Sequence, residues 1–146
     1  MKKEFEVYLA SIDLSSQTVK DNIELVIRYA TKLCKEEVTD IFVEDYYKDN
    51  GSREYGSLWL ISKGYLCEAR NFRSTVEYDI DVAPIKNGVI YLRIYLKNYD
   101  LEETSNESRV RVMFADKQST DYELRATSKN CNKLMELIEN YIKPNM

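Results

Sequence analysis

The chain contains no histidine, and its three cysteines, Cys34, Cys67 and Cys131, stand far apart with no CxxC spacing. It therefore lacks the commonest general base near neutral pH and the commonest metal ligand. Scattered cysteines in odd number point to buried thiols in a reducing compartment. The opening stretch MKKEFEVYLASID has no unbroken apolar run, being interrupted by Glu4, Glu6 and Asp13, so no signal peptide is expected. Nothing approaches the ~20 apolar residues of a membrane span. P-loop, GxGxxG and GxSxG patterns are also missing, which removes the familiar phosphate-cradling and acyl-transfer motifs. With 21 basic against 25 acidic residues and a net charge of −4, the chain offers no basic footprint for nucleic acid or an anionic membrane. The expectation is a cytoplasmic protein that binds neither.

What is present is enough for one core. A chain of 146 residues, 44% of them hydrophobic, buries roughly 68–70% of its unfolded surface, and a single domain over 1–146 is expected. The most informative stretch is VEYDIDVAPIKNGVIYLRIYLK, Val76 to Lys97. Val76, Tyr78, Ile80 and Val82 alternate with Glu77, Asp79 and Asp81; Ile90, Leu92, Ile94 and Leu96 alternate with Tyr91, Arg93, Tyr95 and Lys97. Each half is a strand with one apolar face. A two-residue turn at Asn87-Gly88 mixes those faces. A three-residue loop, Lys86-Asn87-Gly88 with Gly88 left-handed, keeps them apart. It sets Val82 opposite Leu92, Ile80 opposite Ile94 and Tyr78 opposite Leu96, with Asp81 facing Arg93 and Glu77 facing Lys97.

Before this hairpin, Phe5 to Ile12 alternates loosely, as a short strand does. Ser15 and Ser16 then offer an N-cap to a helix reaching about Glu36, with Val19, Ile23, Val26, Ile27, Ala30, Leu33 and Cys34 at helical spacing. Its polar side is mixed in sign, as a solvated face is. Thr39 to Val43 begins a strand, Lys48 to Arg53 is a loop, and Tyr55 to Ile61 is a strand returned by Ser62–Tyr65 into Leu66–Arg70. Leu58, Trp59, Leu60 and Ile61 are apolar on consecutive positions and predict cover on both faces, with Trp59 as a packing anchor. After the hairpin, NYDLEETSNES is a mobile loop carrying four acids. RVRVMF and YELRA are two more strands about a turn near Asp116 to Ser119, and Ser128 caps a final helix bearing Cys131, Leu134, Met135, Ile138, Tyr141 and Ile142, stopped by Pro144.

The expected fold is α+β: an N-terminal helix, a strongly bent antiparallel sheet or partly open barrel of about seven strands, and a C-terminal capping helix. This order, and above all RVRVMFADKQSTDYELRATSKNCNKLMELIENYI over Arg109 to Ile142, resembles the pleckstrin-homology-like superfold across about residues 39–142. The resemblance implies a bent seven-stranded sheet closed by the last helix. It does not carry lipid-headgroup binding, because the first inter-strand loop offers only Lys48 and Arg53 beside Asp45, Asp49 and Glu54. The closing helix also lacks the tryptophan common in eukaryotic members. A helix-grip fold is the alternative, with Phe5 to Ile12 as its opening strand and a small apolar ligand held between sheet and C-terminal helix.

Catalysis needs a positioned base, nucleophile or metal. Glu77, Asp79 and Asp81, with Glu123, are the best carboxylate group, yet the hairpin register gives two of them cationic partners. Glu44 and Asp45 point to opposite faces of a strand. The cysteines fall at apolar positions with no histidine to activate them. No enzyme, cofactor or metal site is expected. Binding has better support: among twelve tyrosines, Tyr91 and Tyr95 flank Arg93 on the outer face of the hairpin, and tyrosine and arginine anchor interfaces. If the first helix covers that face, they are ordinary sheet residues. The acids on the same face disfavour nucleic acid. The functional expectation is a protein-binding module (adaptor, inhibitor or immunity-type protein) using Tyr91, Arg93 and Tyr95, with self-association through the same face open.

Overall fold

The computed structural model describes every residue except Thr75, Asn87 and Leu101. The elements run α1 (Lys3–Ser11), α2 (Gln17–Cys34), β1 (Asp40–Tyr47), β2 (Arg53–Ile61), β3 (Tyr65–Ala69), β4 (Ile80–Pro84), β5 (Val89–Lys97), β6 (Arg109–Asp116), β7 (Asp121–Thr127) and α3 (Asn130–Leu137). A π turn over Ile138–Ile142 and a 3-10 turn over Lys143–Asn145 follow. The chain is α+β, and its strands form two antiparallel sheets, ordered β1-β2-β3-β4 and β5-β6-β7, rather than one bent sheet or a barrel. Pro84, which has no N–H to donate, ends β4, and β5 begins the other sheet. The residues gather into two compact units, 1–43 with 57–83, and 44–56 with 84–146.

In the first unit, residues 5–11 are helical, not the expected strand. Phe5 and Leu9 are one helical turn apart and both buried, while Val7, which a strand would place on the same face as both, is 62% exposed, as the helical period requires. Glu4 and Glu6 in the first turn favour the same outcome through the helix dipole. The helix-grip reading loses its opening strand with this correction. α2 is as expected: Ser16 Oγ accepts from Val19 N at 3.3 Å, Ile23, Val26, Ala30 and Cys34 are buried, and Lys35 ends the helix in the left-handed region at φ 55°. In β2, Leu58, Trp59, Leu60 and Ile61 are all buried, opposite Ala69, Glu68, Cys67 and Leu66 of β3. The cover on both faces that the run of apolar residues predicted is present.

The hairpin expected from Val76 to Lys97 does not form. β4 belongs to the first sheet, and β5 pairs with β6: Leu92, Ile94 and Leu96 stand opposite Phe114, Val112 and Val110. Alternation had specified which side chains share a face, and β6 offers β5 an apolar face as good as β4's. The acids of the 76–84 segment find another cation, Arg70, which bonds Asp79 at 3.3 Å and pairs closely with Asp81. Asn87 of the predicted loop lies outside the described residues. Gly88 does not take the left-handed backbone expected of it; its N–H donates to Ile85 O at 3.0 Å.

In the second unit, the β6–β7 turn is held by Asp116, whose Oδ1 accepts from Gln118 N at 3.0 Å and Thr120 N at 2.9 Å. Ser119 sits at φ 63°, within the predicted turn. α3 lies against β7 and β6, and Val110, Val112, Phe114, Leu124, Ala126, Cys131, Leu134, Leu137 and Ile138 are all buried. Ser128 is not the cap of α3. Lys129 occupies the N-cap without a side-chain bond, while Ser128, at φ 54°, accepts from Cys131 N through its carbonyl at 3.1 Å. The acidic loop is tied at its base, since Ser108 Oγ donates to Asn98 O at 2.8 Å.

Candidate functional site

The register of the second sheet assembles its outer face. Across β5 and β6, Tyr91 stands opposite Ala115, Arg93 opposite Met113, Tyr95 opposite Arg111 and Lys97 opposite Arg109. Across β6 and β7, Arg109 faces Thr127, Arg111 faces Arg125 and Met113 faces Glu123. Directly opposed residues share a face, so Tyr91, Arg93, Tyr95, Lys97, Arg109, Arg111 and Arg125 all project to one side, away from α3.

Three arginines lie over tyrosine rings there. Arg125 is 4.0 Å from the ring centre of Tyr46, Arg109 is 4.1 Å from that of Tyr47, and Arg111 is 5.3 Å from that of Tyr95. Each stack is worth about 0.5–1 kcal/mol at an exposed site and restricts two flexible side chains. With Asp45 and Thr127 they line a cleft of about 240 Å³. Tyr91 lines a second one, of about 400 Å³, with Met113, Phe114, Asp121, Tyr122 and Glu123.

Two acids of β1 hold the cleft in shape. Glu44 receives both Nε and Nη2 of Arg125, at 3.1 and 3.3 Å. Burial pulls the Arg125 pKa down, but the hydrogen bond and charge of Glu44 outweigh it and the net direction is up. The Glu44 carboxylate occupies the space beside Gly56, where an added Cβ would collide with Oε1. Asp45, on the opposite face of β1, is completely buried. It accepts from Arg53 Nε at 2.8 Å, Thr127 N at 3.0 Å, Asn130 Nδ2 at 2.8 Å and the Thr127 hydroxyl. A carboxylate so fully engaged ties β1, β2, β7 and α3 together.

Of the three residues singled out from sequence, Tyr91 and Tyr95 are 48% and 45% exposed, and Arg93 is exposed between them. Tyr95 enters the smaller cleft, Tyr91 the larger. Sequence reasoning missed Tyr46, Tyr47, Arg109, Arg111 and Arg125. The arginines were legible as the polar half of RVRVMF and YELRA, but their place beside Tyr95 depends on β5 pairing with β6.

The other candidates are occupied structurally. Asp79 and Asp81 share Arg70, and no group of three or more metal-ligating side chains is present among the described residues. All three thiols are unpaired and buried. Cys34 and Cys67 approach to 3.4 Å between sulfurs, and burial pushes the Cys67 thiol up, with Cys34 adding to it. Burial likewise, with the Asp45 charge second, pushes Cys131 up to about 12. No described helix is long and apolar enough to cross a membrane. No family model, curated protein or solved structure matches the chain.

Proposed function

We propose that the chain is a non-catalytic interaction module, an adaptor, inhibitor or immunity-type antagonist, which binds another protein through the Tyr–Arg face of β5, β6 and β7. The observation that carries this reading is the coexistence of exposure and order on that face: Tyr95 is half exposed yet stacked under Arg111. Large side chains already restrained lose little entropy on binding, which is why such residues anchor interfaces. A pleckstrin-homology-like arrangement is part of the same proposal, supported by four strands, then three, then a closing helix. Three buried, unpaired thiols support a reducing compartment such as the cytoplasm. The alternative of an apolar ligand under the C-terminal helix has less support, because α3 lies directly against β7 and β6, with Leu124, Ala126, Cys131 and Leu134 buried between them.

The test is capture from source lysate with the native chain and with Tyr91→Ala/Tyr95→Ala, followed by titration of the purified captured protein against both. A loss of affinity of at least tenfold in a variant with native circular dichroism is the expected result. Equal affinity for both baits removes this face as the interface.

A further inference from the structure

Among the described residues the second sheet ends at β5, which has a neighbouring strand on one side only. It is nine residues long, VIYLRIYLK, without proline or acid, so its outer edge presents a row of backbone N–H and C=O groups suited to a further strand. Val89 is buried, and from Ile90 onward the side chains of β5 are exposed or half-buried on both faces. On the α3 side Leu96 is 50% exposed and Leu92 and Ile94 are half-buried; on the other side stand Tyr91, Arg93, Tyr95 and Lys97, and Ile90, in the irregularity between Val89 and Tyr91, is 58% exposed. Arg93 and Lys97 have no ion-pair partner among the described residues.

We infer that β5 accepts an extended segment of a partner protein as a fourth strand, one in which acidic residues alternate with apolar ones. This inference rests on the interaction-module reading and adds the mode of binding and the chemistry of the partner. An added antiparallel strand places its apolar residues beside Leu92, Ile94 and Leu96. Its acidic residues, on the alternate positions, fall opposite Arg93 and Lys97, four residues apart on one face. Charge selects the occupant. A second copy adding its own β5 brings two basic, acid-free strands together, whereas an acidic strand neutralises both cations.

The probe is a synthetic peptide, VEYDIDV, which reproduces residues 76–82 of this chain and alternates acid and apolar residues in the required way. Antiparallel, it sets aspartate opposite Arg93 and glutamate opposite Lys97. Titrated into the full-length chain and followed by amide NMR, it is expected to shift and protect the amides of residues 89–97. Arg93→Glu/Lys97→Glu is expected to weaken binding at least tenfold, as is N-methylation of alternate peptide amides. A peptide with lysine in place of the three acids, VKYKIKV, that binds equally well overturns the charge argument. Unmoved β5 amides overturn strand addition, and they leave the Tyr–Arg interface standing if Tyr91→Ala/Tyr95→Ala still loses the captured partner. Concentration-dependent dimerisation that protects the amides of residues 89–97 makes a second copy the occupant and overturns the acidic partner.

Discussion

β2 and β5 are both nine residues long and both rich in apolar and aromatic residues, yet Leu58–Ile61 of β2 are buried on both faces while β5, beyond Val89, is exposed or half-buried on both. β2 lies between β1 and β3 in its sheet; β5 lies at the end of its own. Residue content is not what separates them. An interior strand has neighbours at both edges and its apolar run becomes core, whereas the same content on a terminal strand remains available for contact. The difference shows where stability and recognition are divided in this chain.

The largest effect is expected from the buried strand. Trp59→Ala should cost about 3–5 kcal/mol in chemical denaturation, since Trp59 is a large side chain at 2% exposure and its removal leaves a cavity. At the other end of the same strand, Gly56→Ala should cost about 1–3 kcal/mol, because the new methyl displaces Glu44 and with it the fork to Arg125. The double variant Gly56→Ala/Glu44→Ala should cost less than the sum of its singles, and strict additivity in that cycle would separate Gly56 from the Arg125 fork.

A pH titration sharpens the contrast within the second sheet, whose α3 side is buried. Cys131 is raised from its ordinary 9.0 to about 12 by burial. Above pH 9 the unfolded chain loses this proton and the folded chain keeps it, so stability falls as pH rises from about 9 to 12. Cys131→Ala should flatten that alkaline limb in urea midpoints measured at each pH. The smallest effect belongs to the exposed strand: Tyr91→Ala/Tyr95→Ala should cost about 1 kcal/mol or less per site in the same denaturation assay, the Arg111 stack on Tyr95 included. A cost like that of Trp59 would make β5 a core strand and break the comparison.

Much of the fold was readable because its signals are local. The period of α2, the apolar run of β2, the Asp116–Ser119 turn and the closing helix each follow from neighbours within a few residues. α1 reads differently in sequence and structure because eight residues with loose alternation fit either period, and the exposure of Val7 between buried Phe5 and Leu9 decides for the helix. The Ser128 cap failed for a related reason: a serine before a helix is a statistical signal, and at φ 54° its side chain is not placed to accept from the first turn. The candidate site was half legible. Alternation puts Tyr91, Arg93 and Tyr95 on one face, but Tyr46, Arg111 and Arg125 join them only through pairings between strands distant in sequence.

Local periodicity and side-chain type by themselves determined which residues are helical in α2, which strand residues share a face, and that the thiols lack a histidine to activate them. Only the tertiary structure decided which strand each face meets. β4 and β5 carry complementary apolar patterns and charges, so pairing them is chemically sound, but β6 satisfies β5's apolar face and Arg70 takes Asp79 and Asp81. A strand's alternation sets the orientation of its side chains, while the choice among compatible neighbours rests on the packing of the whole chain, and that choice left β5 at an edge.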